Sequence, residues 1–274
     1  MTTACRLKIL KSESDEVFSS ISESHFRAAF ELELIESPPG ELRGSETSPC
    51  FFLGKDGDDW ILDPLSHPEW KPLSVDYTRG PQAERLKKAW LSKELLKDAL
   101  SFRKGDELWV VDGTAGLLGD ATLLATWGHH VIAFEQNPAL CFLGLRALDK
   151  LEKSGQKLDV ELHCLPFSSG ECAQKIRERT KANVDRVYLD PLYPSRPKDA
   201  LNSKELRIVA ELARGQTQPE LSGMIESALL LGPSRIVVKR PQWEELLKVA
   251  KYQVTSCTGR STRFDVIHTA QRVN

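Results

Sequence analysis

The stretch from Val187 to Tyr193 joins a run of apolar residues to side chains that can hold a flat polar ring. The run stops at Asp190, and Pro191 and Tyr193 follow within three residues. A carboxylate and a backbone carbonyl can both accept hydrogen bonds from a planar amine, while a tyrosine ring can stack on the ring that carries it. Proline fixes φ, so little loop entropy is lost on binding. An ordinary proline-rich connection is the alternative to our prediction that Asp190, Pro191 and Tyr193 are catalytic.

A second candidate site is the glycine-rich stretch from Val110 to Gly128, "VVDGTAGLLGDATLLATWG". Glycines such as Gly116 and Gly119 let backbone amides at a helix start approach a ligand, although a tight connection or a dinucleotide site uses similar glycines. Asp112 and Asp120 flank the loop and would repel a pyrophosphate. S-adenosylmethionine carries an ammonium and a sulfonium group, so it suits this loop better, and a plain helix N-cap is the alternative for the second aspartate.

Polar residues also follow the next two predicted strands. Glu135 ends the second strand, where an open α/β sheet places the acidic residue that binds ribose hydroxyls, and Gln136 comes directly after it. The third strand's exit, "HCLPFSS", contains Ser168 and Ser169 and is expected to border the adenine. Whether these serines or the apolar residues before them lie nearest the ligand is left open.

These candidate residues need an alternating α/β framework to bring them together. The runs "ELWVVD", "HVIAFE", "DVELHC", "RVYLD" and "RIVVK" have strand length and alternate with segments of helix length, which predicts a parallel, doubly wound sheet. A helix "QWEELLKVA" and then a hairpin of "KYQVTSC" and "RFDVIHT" are predicted to close it. The predicted fold is therefore α/β and Rossmann-like, the class I methyltransferase version, with a mostly parallel seven-stranded sheet and a terminal antiparallel hairpin.

The first part of the chain has a different sequence pattern. It contains an alternating strand, "AAFELELIES", and a predicted hairpin with a Gly-Asp turn, "CFFLGKDGDDWILDPL". Pro81 opens a predicted helix, "PQAERLKKAWLSKELLKDAL", that leads into the larger domain. Asn137 and Pro138 are the predicted N-cap and first residue of another helix. We predict a small N-terminal α+β subdomain over residues 1–78 and a methyltransferase domain over residues 79–274.

The composition of the 274-residue chain is that of an ordinary globular protein, with 41% hydrophobic and 28% charged residues. Its net charge of −2 argues against a uniformly basic nucleic-acid-binding surface. The six cysteines include no C-x-x-C pair, so we expect free thiols and no metal site. Because no signal-peptide core and no bilayer-length apolar run are found, we expect a cytoplasmic protein without a membrane partner.

Several of these stretches together resemble one family. "VDYTRGPQAERLKK", "VVDGTAGLLGDATLLA", "FEQNP", "VYLDPLYP", "VVKRP" and "RFDVI" are similar in order and spacing to bacterial small-subunit ribosomal RNA guanine-N2 methyltransferases of the RsmJ type. The resemblance covers about residues 75 to 268. Residues 190–193, which we term the reaction loop, match the [D/N]-P-P-[Y/F] pattern of amino-methyltransferases except at Leu192. In residues 113–120, which we term the cofactor loop, the family's usual G-L-G-R-D reads Gly116-Leu117-Leu118-Gly119-Asp120, so Leu118 stands where the family has glycine.

The resemblance implies methyl transfer from S-adenosylmethionine to N2 of one guanine in 16S ribosomal RNA, within an assembled small subunit. It places cofactor contacts on Gly119, Asp120, Glu135, Gln136 and Asp190, and on the serine pair after a two-residue shift. The predicted RNA phosphate contacts, for which salt-bridged structural roles are the alternative, are Lys239, Arg240 and Arg263.

Two other functions remain open on sequence grounds. The D-P-x-Y loop suits any planar amine, so adenine N6 in DNA or a protein glutamine is the rival substrate. A non-catalytic RNA-binding relic of a methyltransferase is the second alternative, because Leu118 replaces a hydrogen where a cofactor would pass.

Overall fold

The computed structural model describes residues 5–39, 48–180, 183–193, 204–213, 219–260 and 262–272. The elements of the first half of the chain are β1 Arg6–Leu10, α1 Lys11–Ser20, α2 Glu23–Ala29, β2 Glu31–Ile35, β3 Cys50–Asp56, β4 Asp59–Pro64, α3 Gly80–Lys87, α4 Leu95–Leu100, β5 Trp109–Asp112, α5 Gly119–Thr126 and β6 His130–Phe134. The second half contains α6 Pro138–Lys153, β7 Val160–His163, α7 Gly170–Arg179, β8 Arg186–Leu189, α8 Lys204–Ala213, α9 Leu221–Leu230, β9 Arg235–Arg240, β10 Tyr252–Thr258 and β11 Arg263–Arg272.

Among the described residues, seven strands form one sheet in the order β10-β11-β9-β8-β5-β6-β7. The strands from β5 to β9 pair in parallel, whereas β11 is antiparallel to both β9 and β10. The chain order reverses between β5 and β8, which makes this pair the switch point where open α/β sheets bind ligands. The predicted fold class, the parallel sheet and its closing hairpin are confirmed.

The chain divides into two compact units. The first unit comprises the described residues within Met1–Thr78, Asn137–Gly155 and Ser195–Gln218, and the second comprises those within Arg79–Gln136, Gln156–Pro194 and Pro219–Asn274. A four-stranded sheet in the order β2-β1-β3-β4 belongs to the first unit, and the seven-stranded sheet belongs to the second. The domain boundary between residues 78 and 79 stays a prediction.

Local sequence signals account for much of the first unit. The predicted hairpin is formed by β3 and β4, which pair antiparallel around the turn at Gly57, where φ is +60°. Asn137 caps α6 as predicted, because its side-chain oxygen accepts from the amides of Ala139 and Leu140 at 3.0 and 3.2 Å. None of the helices in the described ranges is long and apolar enough to cross a bilayer.

The core of the second unit lies on the faces of the seven-stranded sheet. The central strands β5 and β8 are buried over three of their four residues, as expected for parallel strands covered on both faces. Side chains of β9, α7 and α9 join the same core, including Ile176, Ile225 and Ile236. This rigid framework holds the strand ends that carry the candidate site.

One predicted helix is two helices in the structure. The segment opened by Pro81 forms α3, breaks over residues 88–94 and resumes as α4. The carbonyl of Ala89 accepts from the Trp127 indole at 3.0 Å, and Arg85 pairs with Glu94 across the break. The Ala89 carbonyl thus bonds to a residue far along the chain and not to an amide of its own helix. The apolar periodicity of the segment carried no signal for this contact, so it did not predict the break.

The predicted helix "QWEELLKVA" was wrong, because residues 241–250 form no helix. The carbonyls of Glu244 and Glu245 accept from Arg263 at 2.6 and 3.0 Å, and the amide of Leu247 donates to Asp265 at 3.0 Å. A helix would need some of these backbone groups for its own ladder, so the contacts hold the segment in an irregular path.

Candidate active site

The glycine-rich loop between β5 and α5 has an open face and a buried face. Gly116 has φ +52°, and a Cβ built there would meet nothing within 4 Å. Leu118 also adopts the left-handed region, at φ 61°, but its side chain is fully buried. The leucine that departs from the family pattern therefore packs into the protein and leaves the open face of the loop clear.

The other two glycines of this loop differ in their surroundings. A Cβ at Gly113 would lie 2.6 Å from Leu189 and 2.8 Å from Phe167, so glycine is required for β5 to continue past these side chains. A Cβ at Gly119, the first residue of α5, would make only ordinary contact with Gln82. Its carbonyl accepts from the Gln82 amide at 2.8 Å, which ties α3 to the start of α5.

Two carboxylates flank the loop at the ends of β5 and β6. Asp112 is the last residue of β5 and is buried, and its Oδ1 accepts from the amide of Thr114 at 3.1 Å. Glu135 follows β6, and its Oε2 accepts from the amide of Gly116 at 2.8 Å. Burial raises the pKa of Asp112 well above its ordinary value, and the charges of Asp120 and Glu135 act in the same direction. A cation placed beside Asp112 would offset the free-energy cost of burying its negative charge.

Asp120 lies in the first turn of α5, two residues after the N-cap Leu118, so it is not the cap itself. Tyr188 and Arg85 donate to its two oxygens at 2.8 and 2.9 Å, and Lys239 Nζ lies 3.9 Å away. Burial alone would raise the pKa of Asp120, but Lys239, Arg85 and the Tyr188 hydroxyl hold it below its ordinary value. Both oxygens of this ionised carboxylate are thus engaged by the protein.

Asp190 directly follows β8 at the switch point. Its amide donates to Thr114 Oγ1, which joins the reaction loop to the cofactor loop. Lys239 Nζ donates to Oδ2 at 2.6 Å, and no donor in the described part of the chain reaches Oδ1. Asp112, Asp120 and Asp190 influence one another's pKa values and together form what we term the acidic cluster. The structure therefore brings these three predicted residues together.

The loop after Asp190 carries Leu192 and Tyr193. Leu192, in the place of the family's second proline, is 43% exposed. The Tyr193 ring lies 5.7 Å from the Arg240 guanidinium, and its hydroxyl is buried without a partner among the described residues. Burial raises the pKa of Tyr193, so the hydroxyl stays neutral. A neutral ring with an unused hydroxyl is suited to hold a base, which remains a prediction.

The three predicted RNA-contacting cations have different surroundings. Arg263 makes two hydrogen bonds to Asp265, at 2.7 and 3.1 Å, and Arg240 donates to Glu244 at 2.9 Å. Arg240, Arg263 and Asp265 are buried and form what we term the arginine clamp. Lys239 instead lies against the acidic cluster. In this conformation all three cations have carboxylate partners, and their contact with RNA stays a prediction.

The remaining predicted cofactor residues lie on the outer strands. Gln136 is half-buried after β6. Ser168 is exposed, whereas Ser169 precedes α7 and its hydroxyl lies 3.4 Å from Cys172 Sγ. Neither serine is joined to the acidic cluster by a hydrogen bond between described residues, so their role also stays a prediction.

Four residues of the site were missed by sequence reasoning. Gln82 and Arg85 come from α3, Thr114 from the cofactor loop and Tyr188 from β8, and each bonds to a loop or acidic residue of the site. The only signal for the first two was the family-like segment "VDYTRGPQAERLKK". Tyr188 lies within an apolar run, where its ring predicted only core packing.

The residues at the ends of β5 and β6 and in the cofactor loop fit S-adenosylmethionine. The cofactor is a cation at its ammonium and sulfonium groups, and the pKa of Asp112 is raised by burial and by the neighbouring carboxylates, so a cation beside it is favourable. The backbone at Gly116 is open to a close approach, and Glu135 lies where ribose hydroxyls bind in such sheets. Across the part of the chain that the structure describes, no cluster of three or more histidine, cysteine or acidic side chains could hold a metal ion.

A doubly wound sheet with this strand order, an antiparallel closing hairpin and acid-lined strand ends defines the class I S-adenosylmethionine-dependent methyltransferases. A family model for SAM-dependent methyltransferases matches residues 44–269. Ribosomal RNA small subunit methyltransferase J of Shewanella sediminis is 34% identical over 79% of this chain and 83% of its own, and that of Shewanella denitrificans is 35% identical over 79% and 86%. The chain belongs to this methyltransferase J family.

A solved structure agrees with this assignment. The crystal structure of a SAM-dependent methyltransferase from Neisseria gonorrhoeae superposes with a TM-score of 0.62 at 25% identity, covering 96% of each chain. The match extends over nearly the whole of both chains, so the similarity includes the first unit as well as the seven-stranded sheet.

Proposed function

We propose that the protein transfers a methyl group from S-adenosylmethionine to the exocyclic N2 amine of a guanine in 16S ribosomal RNA. The observation that carries the proposal is the Asp190 carboxylate at the switch point, whose Oδ2 accepts from Lys239 and whose Oδ1 has no donor within the described ranges. The names of the relatives, which are small-subunit ribosomal RNA methyltransferases, support the substrate class.

The cofactor would be held by the loop and by the acidic strand ends. Asp112 would face its ammonium group, Glu135 its ribose, and the amides at the start of α5 around Gly119 its carboxylate. When bound, S-adenosylmethionine supplies an electrophilic methyl group on a positively charged sulfur, and the guanine amine takes up this methyl as the carbon–sulfur bond breaks. Gln136, Ser168 and Ser169 are the proposed neighbours of the adenosine.

The protein's own contribution is to hold and activate the amine. The N2 lone pair is delocalised into the guanine ring, so the amine is a poor nucleophile. Asp190 Oδ1 and the carbonyl of Pro191 accept from its two N–H groups, which aligns the lone pair, and Asp190 then takes the proton that the methylated nitrogen releases. A charged acceptor contributes about 1.5–3 kcal/mol. Tyr193 stacks on the base, which contributes about 1–3 kcal/mol.

The proposed substrate is the RNA of an assembled small subunit in the cytoplasm. A net charge of −2 is unusual for a protein that must bind naked RNA through charge alone. A folded particle offers shape contacts around the target nucleotide, so a few local cations suffice.

The experiment offers methyl-labelled S-adenosylmethionine to the protein with four separate substrates: small subunits from cells lacking the protein, naked 16S RNA, DNA and protein extract. We expect label in small-subunit RNA, recovered by nucleoside mass analysis as N2-methylguanosine. Label found only in DNA or only in protein would contradict the proposal and favour adenine N6 in DNA or a protein glutamine as the substrate. A protein that does not bind S-adenosylmethionine in calorimetry would instead be the non-catalytic relic.

A further inference from the structure

Lys239 leaves β9 directly beside the end of β8 and lies between two carboxylates. Its Nζ is 2.6 Å from Asp190 Oδ2 and 3.9 Å from Asp120 Oδ2. The side chain is about as exposed as that of its partner, at 34% against 32%. A cation in this position already has its charge compensated by the protein.

This arrangement disfavours the predicted contact of Lys239 with an RNA phosphate. A phosphate approaching Nζ would come within reach of Asp190 and Asp120, and like charges brought together in a partly buried site repel strongly. The pair of carboxylates also raises the pKa of Lys239, although burial opposes them, so the ammonium keeps its charge for these two partners.

We infer that Lys239 is a positioning residue for Asp190, which takes Oδ2 of the carboxylate and so presents Oδ1 to the amine of the substrate. The inference rests on the proposed function for the identity of that amine. The hydrogen bond of Lys239 fixes the side-chain rotation of Asp190, and the Asp190 amide bonded to Thr114 fixes the backbone. Together they hold the acceptor before substrate arrives, which is how positioning contributes to rate.

Lys239 also sets the charge of Asp190. Burial raises the pKa of Asp190 and the charge of Asp120 adds to this, whereas Lys239 opposes both. Loss of the ammonium would therefore raise the pKa of Asp190 further, so that more of the carboxyl is protonated at a given pH, and a protonated carboxyl cannot take up the proton of the amine. Within the part of the chain that the structure describes, the charged or titratable groups facing this site are Lys239 on β9, Asp120 on α5, Asp112 on β5, Tyr188 on β8, Tyr193 in the loop and Arg85 on α3.

The test compares Lys239→Met with the wild type on small subunits, at saturating S-adenosylmethionine and over a range of pH. We expect kcat to fall by about 10-fold to 100-fold, because a mispositioned group costs on that order. The KM for the RNA should change by less than about 2-fold, and the acid limb of the rate profile should move to higher pH. Lys239→Arg, which keeps the charge, should restore part of kcat and the position of the acid limb.

Lys104→Met is the matched control, since it removes the same charge from an exposed position of the second unit. It should leave kcat and the pH profile unchanged. A Lys239→Met enzyme with unchanged kcat and pH profile but a many-fold higher KM for the RNA would make Lys239 an RNA contact and overturn the inference.

A second measurement does not depend on activity. The side-chain carboxyl carbon of Asp190 can be followed by NMR as the free protein is titrated. We expect its midpoint to be higher in Lys239→Met than in the wild type and near the wild-type value in Lys239→Arg, and equal midpoints in all three would overturn the inference. A wild-type enzyme that methylates no RNA would refute the proposed function separately, with the titration still deciding the role of Lys239.

Discussion

Two adjacent residues of β9 belong to two ionic clusters that differ in how their charges are satisfied. Arg240 belongs to the arginine clamp, where the fully buried Asp265 receives two hydrogen bonds from Arg263 and one from a backbone amide. Lys239 lies against the acidic cluster, where one ammonium is beside two carboxylates and Asp190 Oδ1 has no donor among the described residues. Neighbouring residues of a strand point to opposite faces, so one step in sequence separates these roles.

The difference teaches how to separate structural charges from functional ones. The clamp fixes the backbone of residues 244–247, and its buried carboxylate is fully paired with donors. The acidic cluster gathers like charges at a strand end, which costs stability and is expected only where a ligand compensates it. Removal of Arg263 from the clamp and removal of the Asp112 charge from the acidic cluster should therefore change stability in opposite directions.

Breaking the clamp should have the largest effect on stability, and that effect should be destabilising. Arg263→Met leaves the Asp265 charge buried without its main partner, which costs about 3–5 kcal/mol in the free energy of unfolding. Urea denaturation measures this difference. The double variant Arg263→Met with Asp265→Asn removes both charges and should recover much of the loss. Equal stability of the wild type and Arg263→Met would show that the clamp is not structural.

Removing the charge of Asp112 should change stability in the opposite direction. Asp112→Asn keeps the shape of a buried side chain whose pKa is raised by burial, and should stabilise the free protein by about 0.5–2 kcal/mol. The pKa of Asp112 in the folded protein lies above its ordinary value of 3.8, so the wild type loses stability as pH rises from 3.8. The stability advantage of Asp112→Asn over the wild type should grow over the same pH range.

The same Asp112→Asn variant should bind S-adenosylmethionine more weakly, as measured by calorimetry. This result would distinguish the acidic cluster from the arginine clamp, because the Asp112 charge is expected to lower the stability of the fold while it strengthens cofactor binding. A variant that is less stable than the wild type and binds the cofactor equally well would mean that Asp112 is a structural residue.

The smallest expected effect is at Tyr188. Tyr188→Phe removes one donor to Asp120 and should lower stability by about 0.5–1.5 kcal/mol. The pKa of Asp120 is held below 3.8, so this contribution is present above that value and is lost as pH falls through the folded pKa. The stability gap between variant and wild type should therefore narrow in acid. A gap that stays constant with pH would assign the loss to packing of the ring.

The sequence predicted the sheet and the positions of its acidic ends because both are local signals. Parallel strands buried on two faces appear as continuous apolar runs, and Asp112, Glu135 and Asp190 end or follow three of them. In a parallel sheet the carboxyl ends of strands meet at one edge, so their proximity followed from the predicted fold.

The contacts that complete the site depend on tertiary structure and could not be predicted in this way. Arg85 reaches Asp120 across 35 residues, and Arg263 reaches the carbonyl of Glu244 across 19. The latter contact overrides the helical pattern of residues 242–250. Lys239 and Arg240 were predicted together as RNA contacts because both are basic, whereas only the structure separates their partners.

The role of Asp190 is tested most directly by the rate of a single turnover of methyl transfer to small subunits by Asp190→Ala. We expect a rate lower than that of the wild type by more than about 100-fold, since both the charged acceptor and the alignment of the amine are lost. The midpoint temperature of thermal unfolding should stay near that of the wild type. Asp190→Asn, which keeps an acceptor oxygen without the charge, should retain an intermediate rate. Transfer by Asp190→Ala at the wild-type rate would contradict a catalytic role for this carboxylate.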